Sequence, residues 1–197
     1  IATSDGSEVS LSVAEYMTLT DTLGATIANG YDLSDTAASL AGAAAATLDG
    51  ARNLTATDAA TVAEASVLAS AGNSGGVSIA SLSDTANAVA GSSDAVLDQV
   101  TGTVTATGKA TVAQSQSLAG FSKAVVYEVE DTASSLLSEQ GNNGSAAGSA
   151  LGDAGSIATS DGSEVSLSVA EYTTLTDTLG ATIANGYDLS DTAASLA

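Results

Sequence analysis

Tyr31-Asp32-Leu33-Ser34-Asp35-Thr36-Ala37 carries two periods in one short stretch. Tyr31 and Leu33 alternate with Asp32 and Ser34, the pattern of a strand with one buried face. The Asp-Thr pair then offers short oxygen-bearing side chains to the orphan N–H groups of a helix start. From Ala37 onward the chain is alanine-rich and helix-forming, and Leu40, Ala44 and Leu48 fall at i, i+4 and i+8 along one helical face. The stretch predicts a strand running directly into a helix.

The same phrase returns as Ala80-Ser81-Leu82-Ser83-Asp84-Thr85-Ala86, as Tyr127-Glu128-Val129-Glu130-Asp131-Thr132-Ala133 and as Tyr187-Asp188-Leu189-Ser190-Asp191-Thr192-Ala193. A second phrase alternates with it. Asn53-Leu54-Thr55-Ala56-Thr57, leading into Thr61-Val62-Ala63-Glu64, matches Thr103-Val104-Thr105-Ala106-Thr107, leading into Thr111-Val112-Ala113-Gln114, at an offset of 50 positions. Two phrases sharing that period imply a basic unit of about 25 residues. An earlier example of the second phrase has Val9-Ser10-Leu11 as its strand and Ser12-Val13-Ala14-Glu15 as a capping box. Asn29-Gly30 suits the stop before the next strand.

A larger repeat encloses these. Ile1 to Ala41 recurs as Ile157 to Ala197, an offset of 156 residues, and only Met17 against Thr173 differs. Residues 1–156 therefore read as one full tandem unit of about six coils, with an irregular loop near 141–156, and residues 157–197 as the start of the next unit. The chain opens at Ile1 without a methionine and is expected to be an excerpt or a processed product. Strand followed by helix, without room for reversals, calls for parallel strands and right-handed crossovers. The expected fold is α/β, a right-handed solenoid of strand–helix coils with parallel stacked strands. Tyr31, Leu33, Leu54, Leu82, Val104, Tyr127 and Val129 are the expected core. At about 4.8 Å per stacked strand, a six-coil unit would advance roughly 29 Å.

Composition narrows the function. Hydrophobic residues make up 44% of the 197, so the chain has material for a core, yet only 3% are aromatic. Ala, Ser and Thr supply roughly half, which favours thin, close-packed layers over one core of large side chains. Against 23 Asp and Glu stand three basic residues, Arg52, Lys109 and Lys123, for a net charge of -20. Binding nucleic acid through its phosphates needs Lys and Arg that this chain lacks, and anionic membrane surfaces are excluded likewise. No apolar run reaches the length of a membrane span; Ala41 to Ala46 comes nearest. The absence of cysteine removes disulfides and thiolate metal sites.

Histidine is absent too, which removes the usual general base and most nucleophilic dyads. Glu128 and Glu130 form the densest acidic pair, and their shared strand face reads as solvated rather than as a glycosidase site. The chain is read as a non-enzyme. Asp35, Asp84, Asp131 and Asp191 recur on alternate coils and read as helix caps. The alternative is a row of calcium ligands, although no EF-hand loop or glycine-rich calcium nonapeptide is present; otherwise no cofactor is expected. Threonines alternate in Thr18-Leu19-Thr20-Asp21-Thr22 and in Thr103 to Thr107, the material of an ice-binding face, but the first run falls in predicted helix. Asn53-Leu54-Thr55 and Asn143-Gly144-Ser145 match the N-glycosylation sequon, a match expected by chance in so Ser/Thr-rich a chain.

The block from Leu33 to Leu40, paired with Leu11-Ser12-Val13-Ala14-Glu15-Tyr16, resembles the Ala/Ser/Thr/Asp-rich tandem repeats of very large bacterial cell-surface and type I-secreted proteins. The resemblance covers essentially the whole chain and implies an extracellular or cell-surface location. It implies a structural role that spans distance or builds a filament, sheath or surface layer, with an adhesin or ice-binding surface on the same scaffold as the alternative. The partners it implies are self-association or continuation into identical repeats, and a surface or glycan ligand if the chain is an adhesin. It carries over no catalytic or ligand residues.

Overall fold

The computed structural model describes residues 9–143 and 150–196. It is an α/β protein with a seven-stranded parallel sheet whose strands lie side by side in chain order. Two compact units make up the chain: Ile1–Asp84 with Ser92–Val104, and Thr85–Gly91 with Thr105–Ala197.

In the first unit, strand β1 (Val9–Leu11) leads to helix α1 (Val13–Met17) and a π-helical turn π1 (Thr18–Thr22). Strand β2 (Tyr31–Asp35) leads to α2 (Ala37–Ala41) and α3 (Ala45–Gly50). Strand β3 (Leu54–Ala60) leads to α4 (Val62–Ala69). Strand β4 (Val77–Thr85) precedes α5 (Ala86–Ala90), which belongs to the second unit, and α6 (Asp94–Leu97), which belongs to the first. Paired residues stand 21 to 23 positions apart, from Leu33 against Leu54 to Leu54 against Val77. Leu33, Leu54, Ile79 and Leu82 of the strands and Leu40, Leu48, Leu68 and Leu97 of the helices are buried together as its core. Helix α4 packs against both α2 and α6. Each buried leucine contributes about 2 kcal/mol by leaving water.

The second unit holds β5 (Val104–Ala110) with α7 (Val112–Ala119) and β6 (Val125–Asp131) with α8 (Ala133–Asn143). Strand β7 (Ile157–Thr159) pairs with β6, 28 positions on. Strand β8 (Val165–Leu167), α9 (Val169–Thr173) and a second π turn π2 (Thr174–Thr178) come next, then β9 (Tyr187–Leu189) and α10 (Ala193–Leu196). β8 and β9 form a separate parallel pair. Helix α7 packs against α5 and α8, and α8 against π2.

Every residue expected in the core is buried: Tyr31, Leu33, Leu54, Leu82, Val104, Tyr127 and Val129. Three local expectations change. The alanine-rich stretch after Thr36 is two short helices, because the chain turns at Gly42, the C-cap of α2; Leu40 and Leu48 are buried but Ala44, between them, is exposed. Of the irregular stretch expected from Gly141, residues 141–143 are helical, as the end of α8; residues 144–149 of that predicted loop lie outside the described residues. Spacing between paired strands is uneven, shorter than 25 positions in the first unit and longer at β6–β7.

Candidate functional site: the aspartates at the strand ends

Asp35 and Asp131 close β2 and β6, Asp84 is the penultimate residue of β4, and Asp191 lies two residues past β9; each stands directly before the threonine that precedes a helix. Helix starts leave N–H groups without intrahelical partners, and here two side chains from different parts of the chain take them. The local one is the N-cap Ser or Thr. The Oγ of Ser12, Thr36, Thr61, Thr111, Thr132 and Ser168 accepts the N–H three residues on, at 3.1 to 3.3 Å. In α1, α4, α7 and α9 the Glu or Gln at that third position bonds back to the N-cap N–H, completing the capping box.

The distant partner is the aspartate of the next strand. In the first unit the N–H of Val13 donates to Asp35 Oδ2 at 3.1 Å, and that of Val62 to Asp84 Oδ2 at 3.0 Å. In the second, Val112 donates to Asp131 Oδ2 at 2.9 Å and Val169 to Asp191 Oδ2 at 3.2 Å. The other carboxylate oxygen stays local: Oδ1 of Asp35, Asp131 and Asp191 accepts the N–H of Thr36, Thr132 and Thr192 at 2.6 to 2.8 Å. These aspartates do receive helix N-terminal amides, but those of the preceding helix. Their own helices are capped by the adjoining threonine. Each carboxylate is thereby a clasp between successive strand–helix units.

Asp58 and Asp161 complete the set. Oδ1 of Asp58 accepts the N–H of Ala37 at 2.7 Å, and Oδ2 of Asp161 that of Ala133 at 2.9 Å. Sequence reading missed both because they sit in the other phrase, after Thr57 and Ser160. The position equivalent to Asp58 in the next copy of that phrase is Gly108, whose φ of 75° lies in the left-handed region.

Charge follows this geometry. The N–H of Thr192, then that of Val169, hold the Asp191 carboxyl below the usual carboxylate range. The backbone N–H and hydroxyl of Ser12 lower Glu15, and those of Ser168 lower Glu171. Lys109 bonds Glu128 at 2.6 Å on the exposed side of the strands and lowers its carboxyl. Thus Glu128 of the acidic pair is a solvated, ion-paired group, and Glu130 is half-buried. Burial, with the Asp153 charge second, pushes the Tyr127 hydroxyl up to about 12; it donates to the Ala150 carbonyl at 2.7 Å.

Among the described residues no three acidic side chains come together in one group; Asp35, Asp84, Asp131 and Asp191 each turn an oxygen to a helix amide. The Asn53 sequon is committed elsewhere. Its N–H and Nδ2 donate to Asp32 Oδ1 at 3.0 and 2.9 Å, and its Oδ1 accepts from Gly76 at 3.0 Å, linking three successive strands. Asn143 lies in α8, and Gly144 and Ser145 of the other sequon are outside the described residues. Thr18–Thr22 is π-helical as expected of a helical run, and on β5 Thr105 and Thr107 alternate with buried Val104 and Ala106. No helix among the described residues is long and apolar enough to cross a membrane. No protein-family model matches the chain, and no curated protein or solved structure matches it either.

Proposed function

We propose that this chain is a structural spacer: a stretch of right-handed α/β solenoid in a long extracellular protein, whose work is to span distance. The observation that carries the reading is the aspartate clasp, which recurs at six places, three in each compact unit. A unit held by side chains of its successor is a nearest-neighbour device, the energetic pattern of repeat arrays that lengthen by adding copies. Near-identity of residues 1–41 and 157–197 supports the same reading, since duplication extends such an array without disturbing an existing site. The absence of histidine and cysteine also removes most nucleophile–base pairs.

Electron microscopy of the native material, with antibodies against this chain on intact cells, tests the proposal. Surface labelling on thin structures with an axial repeat near 29 Å, about six strand spacings, is expected. Intracellular labelling, or discrete particles with no axial repeat, would overturn it.

A further inference from the structure

Aromatic side chains are scarce in this chain, which has five tyrosines, one phenylalanine and no tryptophan. Four of the five tyrosines nevertheless stand in two pairs. In the first unit Tyr16 of α1 lies against Tyr31, the first residue of β2, with ring centroids 4.6 Å apart and planes inclined by 34°. In the second, Tyr172 of α9 lies against Tyr187 of β9 at 4.5 Å and 35°. The fifth, Tyr127, is 2% exposed and has no aromatic ring against it among the described residues.

The hydroxyls are neighbours as well as the rings. Burial first, then hydrogen bonding to Tyr16, pushes the Tyr31 hydroxyl up; hydrogen bonding to Tyr172 is the leading cause of the same shift at Tyr187. Rings in contact with their hydroxyls side by side bring together the carbons next to each hydroxyl. Those carbons share the unpaired electron of an oxidised phenol. Tyr16 and Tyr172 are half-buried, so an oxidant reaches one member of each pair.

We propose that each pair is a site of oxidative cross-linking, at which a haem peroxidase with hydrogen peroxide joins the two rings as dityrosine. Each phenol gives one electron to the oxidised haem and its hydroxyl proton to solvent. The two phenoxyl radicals couple in a carbon–carbon bond between the carbons next to the hydroxyls. The hydrogens on those carbons then move to the phenoxyl oxygens, which restores both hydroxyls. One peroxide takes up the two electrons and two protons and leaves as two waters. The bond ties α1 to β2, the elements that Asp35 joins through Val13. It closes a loop of 15 positions and so restricts the unfolded chain.

Treatment of the full chain in dilute solution with a haem peroxidase and hydrogen peroxide tests this. The expected product has the mobility of a single chain, and peptide mapping joins Tyr16 to Tyr31 and Tyr172 to Tyr187, each pair lighter by two hydrogens. Oxidation of Met17 adds oxygen instead and is told apart by mass. Tyr16→Phe should remove the first link and leave the second, lowering dityrosine fluorescence roughly twofold, and adding Tyr172→Phe should lower it about tenfold or more. The urea-unfolded chain, in which the same tyrosines are not held together, should give about tenfold less at the same dose. A folded chain that forms no link within itself, forms no more than in urea, or joins Tyr127 as often as the paired residues would overturn the inference. None of these results touches the axial repeat on which the spacer reading is tested.

Discussion

Asp35 accepts the backbone N–H of Val13, 22 positions earlier in the chain, at 3.1 Å through one carboxylate oxygen, while the other takes the N–H of Thr36. One side chain thereby ties the start of α1 to the start of α2. Asp131 does the same for α7 and α8 through Val112 and Thr132. Asp35→Ala should lower stability by about 1–2 kcal/mol, the range of a lost cap with two orphaned amides. Asp35→Asn, which keeps an acceptor, should cost less. A urea midpoint unchanged in the alanine variant would show the clasp to be decorative.

Tyr31 and Gly50 should be coupled. The Tyr31 hydroxyl donates to the Thr47 carbonyl at 2.8 Å, and a Cβ on Gly50 would stand 2.6 Å from that hydroxyl. Gly50→Ala should cost about 1–3 kcal/mol by overpacking, and Tyr31→Phe about 1 kcal/mol. In the double variant the missing hydroxyl makes room for the methyl, so its cost should fall below the sum. Additive costs in a double-mutant cycle would exclude this contact.

Identical residues in the two repeats should differ in energetic weight. Leu33→Ala empties a fully buried position and should cost about 2–5 kcal/mol. Leu189→Ala, at its half-exposed counterpart, should cost under about 1 kcal/mol in dilute solution. Equal costs, read from thermal unfolding of each variant, would mean that β9 is already covered.

Acid should loosen the helix starts. Asp191, Glu15 and Glu171 are held below the ordinary carboxylate range by backbone amides. A lowered folded-state pKa stabilises above the unfolded value, and that stabilisation is lost as pH falls through the lowered one. The protection factors of the Val169, Ser168 and Ser12 amides, measured against the intrinsic exchange rate at each pH, should therefore fall as the pH drops below about 4. Protection that stays constant to the end of the carboxylate range would contradict this.

Much of the fold was legible because the strand phrase states its own alternation. Tyr31 and Leu33, Tyr127 and Val129 are buried as their period required, and the capping box at Ser12 and Glu15 forms as written. The break at Gly42 was not legible: Leu40 and Leu48 match one helical face equally well when two short helices each present a leucine to the same core. The clasp was half legible. Aspartate before threonine announces a helix start, but which helix receives the carboxylate depends on the register of the neighbouring strand, and that is a tertiary fact. Asp58 and Asp161 escaped for the same reason, since nothing local in Thr57-Asp58 or Ser160-Asp161 points to a helix in the preceding unit.

The spacer proposal is tested most directly by length. One, two and three tandem copies of residues 1–156 should give small-angle scattering profiles whose maximum dimension rises by a constant increment, roughly 29 Å per copy from six strand spacings. An increment that shrinks with each added copy, as when globules collapse together, would contradict the account.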